Sequence, residues 1–274
     1  MSLQHTSAKN SEFWNELCGS QLANYLGVTD SSRESLNKYD DWYLYRYPYL
    51  HLHVPVFELR GKSVLEIGLG YGTVSQWLAE SGATYTGLDI AKGPVAMVNQ
   101  RLEQMGLPGE AIQGDVLGAP FPSASFDAIV AIGCLHHTGD LQRAIDECRR
   151  MLKDGGALHF MVYNAYSYRR FVEAPLDTLW YRLRELIGFR GVIDASRREQ
   201  RASYDSNTRG DAAPHTDWIS QRSLKYACRN FSSFVARSEN ITNEYIFKGR
   251  SREQLLLTAW PQLFGLDIYA HAVK

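Results

Sequence analysis

The chain has 274 residues, 45% of them hydrophobic and 22% charged, which fits one large or two small globular domains and excludes a disordered tail, a collagen-like fibre and a disulfide miniprotein. Its 29 Lys+Arg against 30 Asp+Glu leave a formal net charge of -1, so no global field draws in nucleic acid or an anionic membrane. The four cysteines, Cys18, Cys134, Cys148 and Cys228, are scattered, which argues against a zinc module and a secreted disulfide framework.

Residues 1–10 are polar and hold no apolar core of a signal peptide, and nowhere do 18 apolar residues run together. These features predict a cytoplasmic protein with no membrane partner. Residues 11–26 read as a helix with Phe13, Trp14, Leu17, Leu22 and Leu26 apolar. An aromatic run follows, Tyr39, Trp42, Tyr43, Tyr45, Tyr47 and Tyr49. It reads either as a helix packed onto the next domain or as a pocket wall, since Tyr combines an apolar face with a polar tip.

Strand and helix signals alternate from residue 62 to 164. Strands are predicted at 63–67, 84–88, 111–115, 126–132 and 157–163, with helices at 73–81, 93–105 and 141–152. Such alternation means βαβ units and a parallel sheet. The pattern breaks from 165 to 215, where nine Arg face seven Asp+Glu and where residues 176–187 form an amphipathic helix expected to bury Leu179, Leu183 and Leu186. A helix at 220–230 and strands at 231–237 and 266–273 close the chain. The organisation expected is a cap segment 1–60, a Rossmann-like core 61–164 that binds a nucleoside-bearing cofactor, a cap insert 165–217, and the end of the core at 218–274.

The chemistry centres on Glu66-Ile-Gly68-Leu-Gly70-Tyr-Gly72, between a strand and a helix. Glycines there let the backbone turn sharply and let a ligand approach without a Cβ clash. Seventeen residues past Gly72 the second strand ends in Asp89, followed by Ile90; a carboxylate there can accept from both ribose hydroxyls. The spacing is GxGxG rather than GxGxxG, and Glu66 beside the loop would repel a diphosphate but suit a cationic amine. S-adenosylmethionine fits this better than a nicotinamide dinucleotide. Asp115 and Val116 end the third strand, beside the crevice where ligands bind, and Asp115 can accept from an adenine amine or simply cap a turn.

Residues 64–73, 126–137 and 150–157 together resemble class I S-adenosylmethionine-dependent methyltransferases of small-molecule type. The resemblance implies an α/β, Rossmann-like, doubly wound seven-stranded sheet with an antiparallel hairpin at one edge. It also implies Gly68, Gly70 and Gly72 near the methionine part, with Asp89 on ribose and Asp115 and Val116 at adenine; Gly133 ends the fourth strand beside them. His136 and His137 would then lie near the reacting methyl, as general base or as pocket floor. Tyr163 and Asn164 emerge on the same sheet edge and are the next candidates.

The expected reaction is methyl transfer to an O, N, S or C atom of a small organic acceptor, with no metal. Tyr43, Tyr47, Tyr163, Asn164, Arg209 and His215 are the candidate acceptor contacts, Asp217 beside them, under a helical cap built from the N-terminal segment and the insert. An RNA or protein methyltransferase and a non-catalytic cofactor-binding partner protein are the alternatives. Net charge disfavours nucleic acid, and a homo-oligomer stays open.

Overall fold

The computed structural model describes residues 3–15, 21–194, 197–207 and 209–274. Leu17 and Cys18, expected in a helix and as a buried thiol, lie outside them. Helices α1 (Leu3–Phe13), α2 (Gln21–Leu26), α3 (Arg33–Arg46) and α4 (Leu50–His53) lead into the sheet. The core then alternates β1 (Ser63–Ile67), α5 (Thr73–Glu80), β2 (Thr84–Asp89), α6 (Lys92–Met105), β3 (Glu110–Gln113), β4 (Phe126–Ile132), α7 (Leu141–Met151) and β5 (Leu152–Asn164). The insert holds α8 (Tyr168–Glu173), α9 (Pro175–Leu186), β6 (Ile193–Asp194), α10 (Arg198–Ala202) and β7 (Asp217–Ile219). The chain closes with α11 (Gln221–Ala227), β8 (Ser233–Glu239), α12 (Arg252–Leu256), α13 (Trp260–Phe264) and β9 (Asp267–Val273).

Strands β3, β2, β1, β4 and β5 pair in parallel, and β9 joins β5 antiparallel with β8 outside it. This is the expected seven-stranded sheet with an antiparallel edge. Both faces are covered, as a parallel sheet requires. Successive side chains of β4 point to opposite faces, so Ile129 and Ala131 join the core under α7 and α11, while Ala128 and Val130 join the one under α5 and α6.

The insert adds what the sequence reading missed: two more strands, making nine in one sheet among the described residues. Trp218 of β7 pairs in parallel with Tyr163, which at the same time pairs with Asp267 of β9. A strand residue has only two edges, so β7 occupies the β4 side and prolongs the sheet beyond the carboxyl end of β4. The insert therefore hangs over residues 133–138, as its position at the carboxyl edge predicts.

Most of the arginines of the insert are engaged within the protein. Arg169 pairs with Glu244 at 3.0 Å, buried Arg170 lies 4.7 Å over Trp218, Arg184 lies 3.6 Å over Phe189, and Arg198 and Arg201 donate to the carbonyls of Gly210 and Ala213. The face expected to be buried on α9 is the wrong one. Thr178, Tyr181 and Glu185 are buried, and Leu179, Leu183 and Leu186 are exposed.

Candidate active site

The end of β1 runs into a loop whose three glycines all have positive φ: +78° at Gly68, +51° at Gly70 and +81° at Gly72. Gly68 is required by contact as well as conformation, because a Cβ there would sit 2.4 Å from Cys134 Cβ. At Gly70 a Cβ would meet no protein atom within 4 Å, so that backbone stays open to a ligand.

Beside the loop lies a cavity of about 320 Å³. Gly68, Gly70, Asp89, Ile90, Asp115, Val116 and Gly133 line it together, as expected of the cofactor residues. Asp89 is buried, and its two oxygens accept from the Leu69 and Ala91 backbone N–H groups at 2.8 Å each. Burial raises its pKa and those N–H donors oppose the rise. Each oxygen keeps a lone pair for a further donor. Asp115 both caps the turn, accepting from Leu117 N at 2.9 Å, and faces the cavity, so the two sequence readings of it coexist.

Glu66 departs from expectation. Its carboxylate is absent from the main cavity wall and accepts from Ser75 Oγ at 2.5 Å and Tyr85 OH at 2.7 Å. It borders a side cavity of about 70 Å³ that shares Gly68, Gly70, Tyr39 and Tyr43 with the main one. Burial pushes its pKa from 4.5 to about 8, against the pull of Ser75 and Tyr85. A carboxyl whose folded pKa is raised stabilises the fold in its neutral form, so stability falls as pH climbs from about 4.5 to about 8. Glu66→Gln removes that slope: denaturant unfolding of the ligand-free variant should show a flatter stability between pH 5 and 8 than the parent. Gly72 likewise faces the protein, its missing Cβ position lying 3.0 Å from Val98 Cγ2; it caps α5.

The histidine pair separates. His136 is fully buried, away from the cavity wall, against the Tyr163 ring at 4.1 Å, and neither ring nitrogen has a hydrogen-bond partner among the described residues. Burial first, then His137, drives its pKa well down, so it stays a neutral packing residue. His137 faces the cavity. Its Nδ1 donates to the His215 carbonyl at 2.7 Å, which fixes the tautomer and leaves Nε2 as the basic nitrogen. Nε2 lies 3.6 Å from Asp205 Oδ2. Burial lowers the His137 pKa, and Asp205 works against this.

Asp205, overlooked in the sequence, lies on the same cavity wall and accepts from Tyr163 OH at 3.0 Å; burial raises its pKa. Nothing in its spacing marks it, since 68 residues separate it from His137. Helix α1 is the second omission. Ser7, Asn10 and the nearby Trp14 share one face and line the cavity, with Ser7 Oγ on Asp115 at 2.5 Å and Asn10 Nδ2 on the His137 carbonyl at 2.6 Å. Their spacing at 7, 10 and 14 was the available signal.

The candidate acceptor residues divide. Tyr43 lines the cavity with Tyr39, which stacks at 3.9 Å on Tyr71 of the glycine loop. Arg101 clamps α3 there, pairing with Asp40 at 2.6 Å and donating to the Tyr71 carbonyl. Tyr47 stands back from the wall, against Tyr43 and Tyr49. Tyr163 is not on the wall; its hydroxyl donates to Asp205. Asn164 is structural: it is buried and donates to the Gly265 carbonyl at 2.8 Å. Arg209 is exposed on an outer cleft, and His215 is held by Asp217 at 3.0 Å; neither side chain, nor Asp217, reaches the cavity.

The cavity carries Asp89, Asp115 and Asp205 and, among the described residues, no Lys or Arg. A diphosphate would be repelled there, whereas a cationic, phosphate-free nucleoside fits.

Residues 65–160 match the methyltransferase domain family. The chain is similar to the ubiquinone biosynthesis O-methyltransferase of Pseudomonas entomophila (strain L48), 34% identical over 108 residues that cover 39% of this chain and 46% of that protein. It is also similar to the fatty-acid O-methyltransferase of Mycolicibacterium smegmatis, 32% identical over 163 residues and 56% of each chain. The chain thus spans about half the length of the curated relatives it matches. Among solved structures, the S-adenosylmethionine-dependent methyltransferase of Mesorhizobium loti superposes with a TM-score of 0.53 over 84% of this chain and 97% of that one, at 18% identity. That likeness is one of fold.

Proposed function

We propose that this chain, which carries a methyltransferase domain over residues 65–160 and takes S-adenosylmethionine as its cofactor, methylates an oxygen of a small, largely apolar organic acceptor. The observation that carries the reading is His137 on the cavity wall, with Nδ1 committed to a carbonyl and basic Nε2 beside Asp205. The relatives named for methylating oxygen in a quinone pathway and on fatty acids agree with it.

Asp89 would hold the ribose, Asp115 and Val116 the adenine end, and the backbone at Gly68 and Gly70 the amino-acid end, with Glu66 behind it. Bound there, the cofactor supplies an electrophilic methyl on a positively charged sulfur. Trp14, Tyr39, Tyr43 and Ile132 form an apolar wall for the acceptor and keep water out. His137 Nε2 would take the proton of an acceptor O–H held against this wall, leaving the oxygen as the nucleophile. Asp205 stabilises the imidazolium so formed, and the Tyr163 hydroxyl holds Asp205 in place. The free thiols Cys134, Cys148 and Cys228 suit a reducing cytoplasm.

Transfer of labelled methyl from the cofactor to a panel of phenols, hydroxylated quinones, fatty acids, amines and thiols tests this. Oxygen acceptors should turn over, and Asp205→Asn should slow them about 10–10²-fold with cofactor affinity unchanged. Asp205 raises the His137 pKa, so the variant's base should titrate at lower pH than the parent's. Turnover confined to amines or thiols, or an unaffected Asp205→Asn enzyme, rejects the reading.

A further inference from the structure

Helix α9 is turned inside out. Its buried face is polar and satisfied: Glu185 accepts from Tyr166 OH at 2.6 Å and from Ser220 and Ser223, Thr178 donates to main-chain carbonyls, and Tyr181 donates to the Gly191 carbonyl at 2.7 Å. Its outward face carries Leu176, Leu179, Trp180, Leu183 and Leu186, with Ile187 just beyond, exposed by 46–86%. At about 100° per residue these six fall within an arc of about 120°, a full amphipathic stripe that the fold leaves uncovered. Arg182 and Arg184 stand about a quarter-turn to either side of its centre, Arg182 exposed and Arg184 half-buried over the Phe189 ring, and Arg190, just past the helix, is half-buried and donates to the Glu185 and Phe189 carbonyls. Its other charged side chains are Glu185, which is buried, and Asp177, which accepts from Gln200.

We propose that α9 is an interfacial helix that docks the protein on an anionic lipid surface, with the stripe in the acyl boundary and the arginines among the headgroups. Leu and Trp on one side with Arg at its margins is the arrangement such helices share. The charges decide between occupants. A second copy packed stripe to stripe would bring Arg182 and Arg184 to both rims, where the helix offers them only Asp177, half-buried and already accepting from Gln200. A 12-residue helix is also only about 18 Å long, a strip well short of the ~800 Å² per partner of a stable interface. An anionic headgroup layer supplies the missing charge.

No helix among the described residues is long and apolar enough to cross a membrane, so the proposed contact is peripheral. Tyr181 and Glu185 bind Ser220 directly after β7, the strand that extends beyond β4. The docked face thus belongs to the edge of the sheet that carries the cavity. The proposal does not depend on which acceptor is methylated.

The full chain is sedimented with phosphatidylcholine vesicles and with vesicles containing ~30% phosphatidylglycerol. Binding should favour the anionic vesicles and weaken as salt rises. Leu179→Ser/Leu183→Ser should cut partitioning at least about tenfold with an unchanged melting temperature, because both side chains are exposed. Arg182→Glu should weaken binding to the anionic vesicles alone. A parent that stays in the supernatant, or a double variant that partitions equally, overturns the proposal. So does a parent that sediments as a dimer by ultracentrifugation while the double variant sediments as a monomer; the second copy is then the occupant.

Discussion

His137→Gln is expected to slow methyl transfer to an oxygen acceptor by ~10²–10⁴-fold while cofactor affinity stays within about twofold. The glutamine amide can still reach the His215 carbonyl, so the loop after β4 keeps its tie to the insert. What disappears is the basic nitrogen beside Asp205. Stopped assays and cofactor calorimetry on the same preparation separate the two effects. The pH profile adds an independent readout. Burial holds the His137 pKa below its ordinary 6.5, so kcat/KM of the parent should rise with pH through a limb below 6.5 and be flat at neutrality. The variant should lack that limb. His136→Gln serves as the contrast: His136 faces Tyr163 rather than the cavity, so its replacement should act on stability and leave the limb in place. A His137→Gln enzyme within tenfold of the parent removes the base from the mechanism.

Asp89→Ala is expected to weaken cofactor binding by at least about 10²-fold and also to destabilise the ligand-free protein. Two ribose hydrogen bonds to a carboxylate are each worth ~1.5–3 kcal/mol. The same change orphans the Leu69 and Ala91 N–H groups, and a buried donor without an acceptor costs ~1–3 kcal/mol. The glycine loop would then lose one of the ties that shape it. Asp89→Asn keeps one acceptor oxygen, so it should restore part of the stability but not the charge-assisted part of the affinity. Calorimetry together with thermal unfolding of both variants checks this; unchanged affinity in Asp89→Ala removes the ribose assignment.

Local signals were enough for the core. The GxGxG turn, the apolar run at 126–132 and the carboxylate closing β2 depend on backbone conformation and strand period, which a short stretch of chain carries by itself. With the strand–helix alternation around them they located five of the seven core strands and the residues that line the cavity beside the glycine loop, and the last two strands followed from weaker alternation at 231–237 and 266–273. The position of the insert at the carboxyl edge was legible for the same reason: topology puts that edge at the crevice.

Three decisions belonged to the tertiary structure. Adjacent histidines in the 3-10 turn 135–137 point about 120° apart, so one reaches the cavity and the other the Tyr163 ring, and no sequence spacing says which. Asp205 becomes the partner of His137 only because β7 lays the insert across the end of β4. Helix α9 shows the limit most plainly. Periodicity established that it has a polar and an apolar side, and the rule that apolar sides face inward chose wrongly. Ser220, Ser223 and the Gly191 carbonyl, distant in sequence, supply hydrogen bonds to Glu185 and Tyr181, so the polar side is the one this fold can bury at no unsatisfied cost.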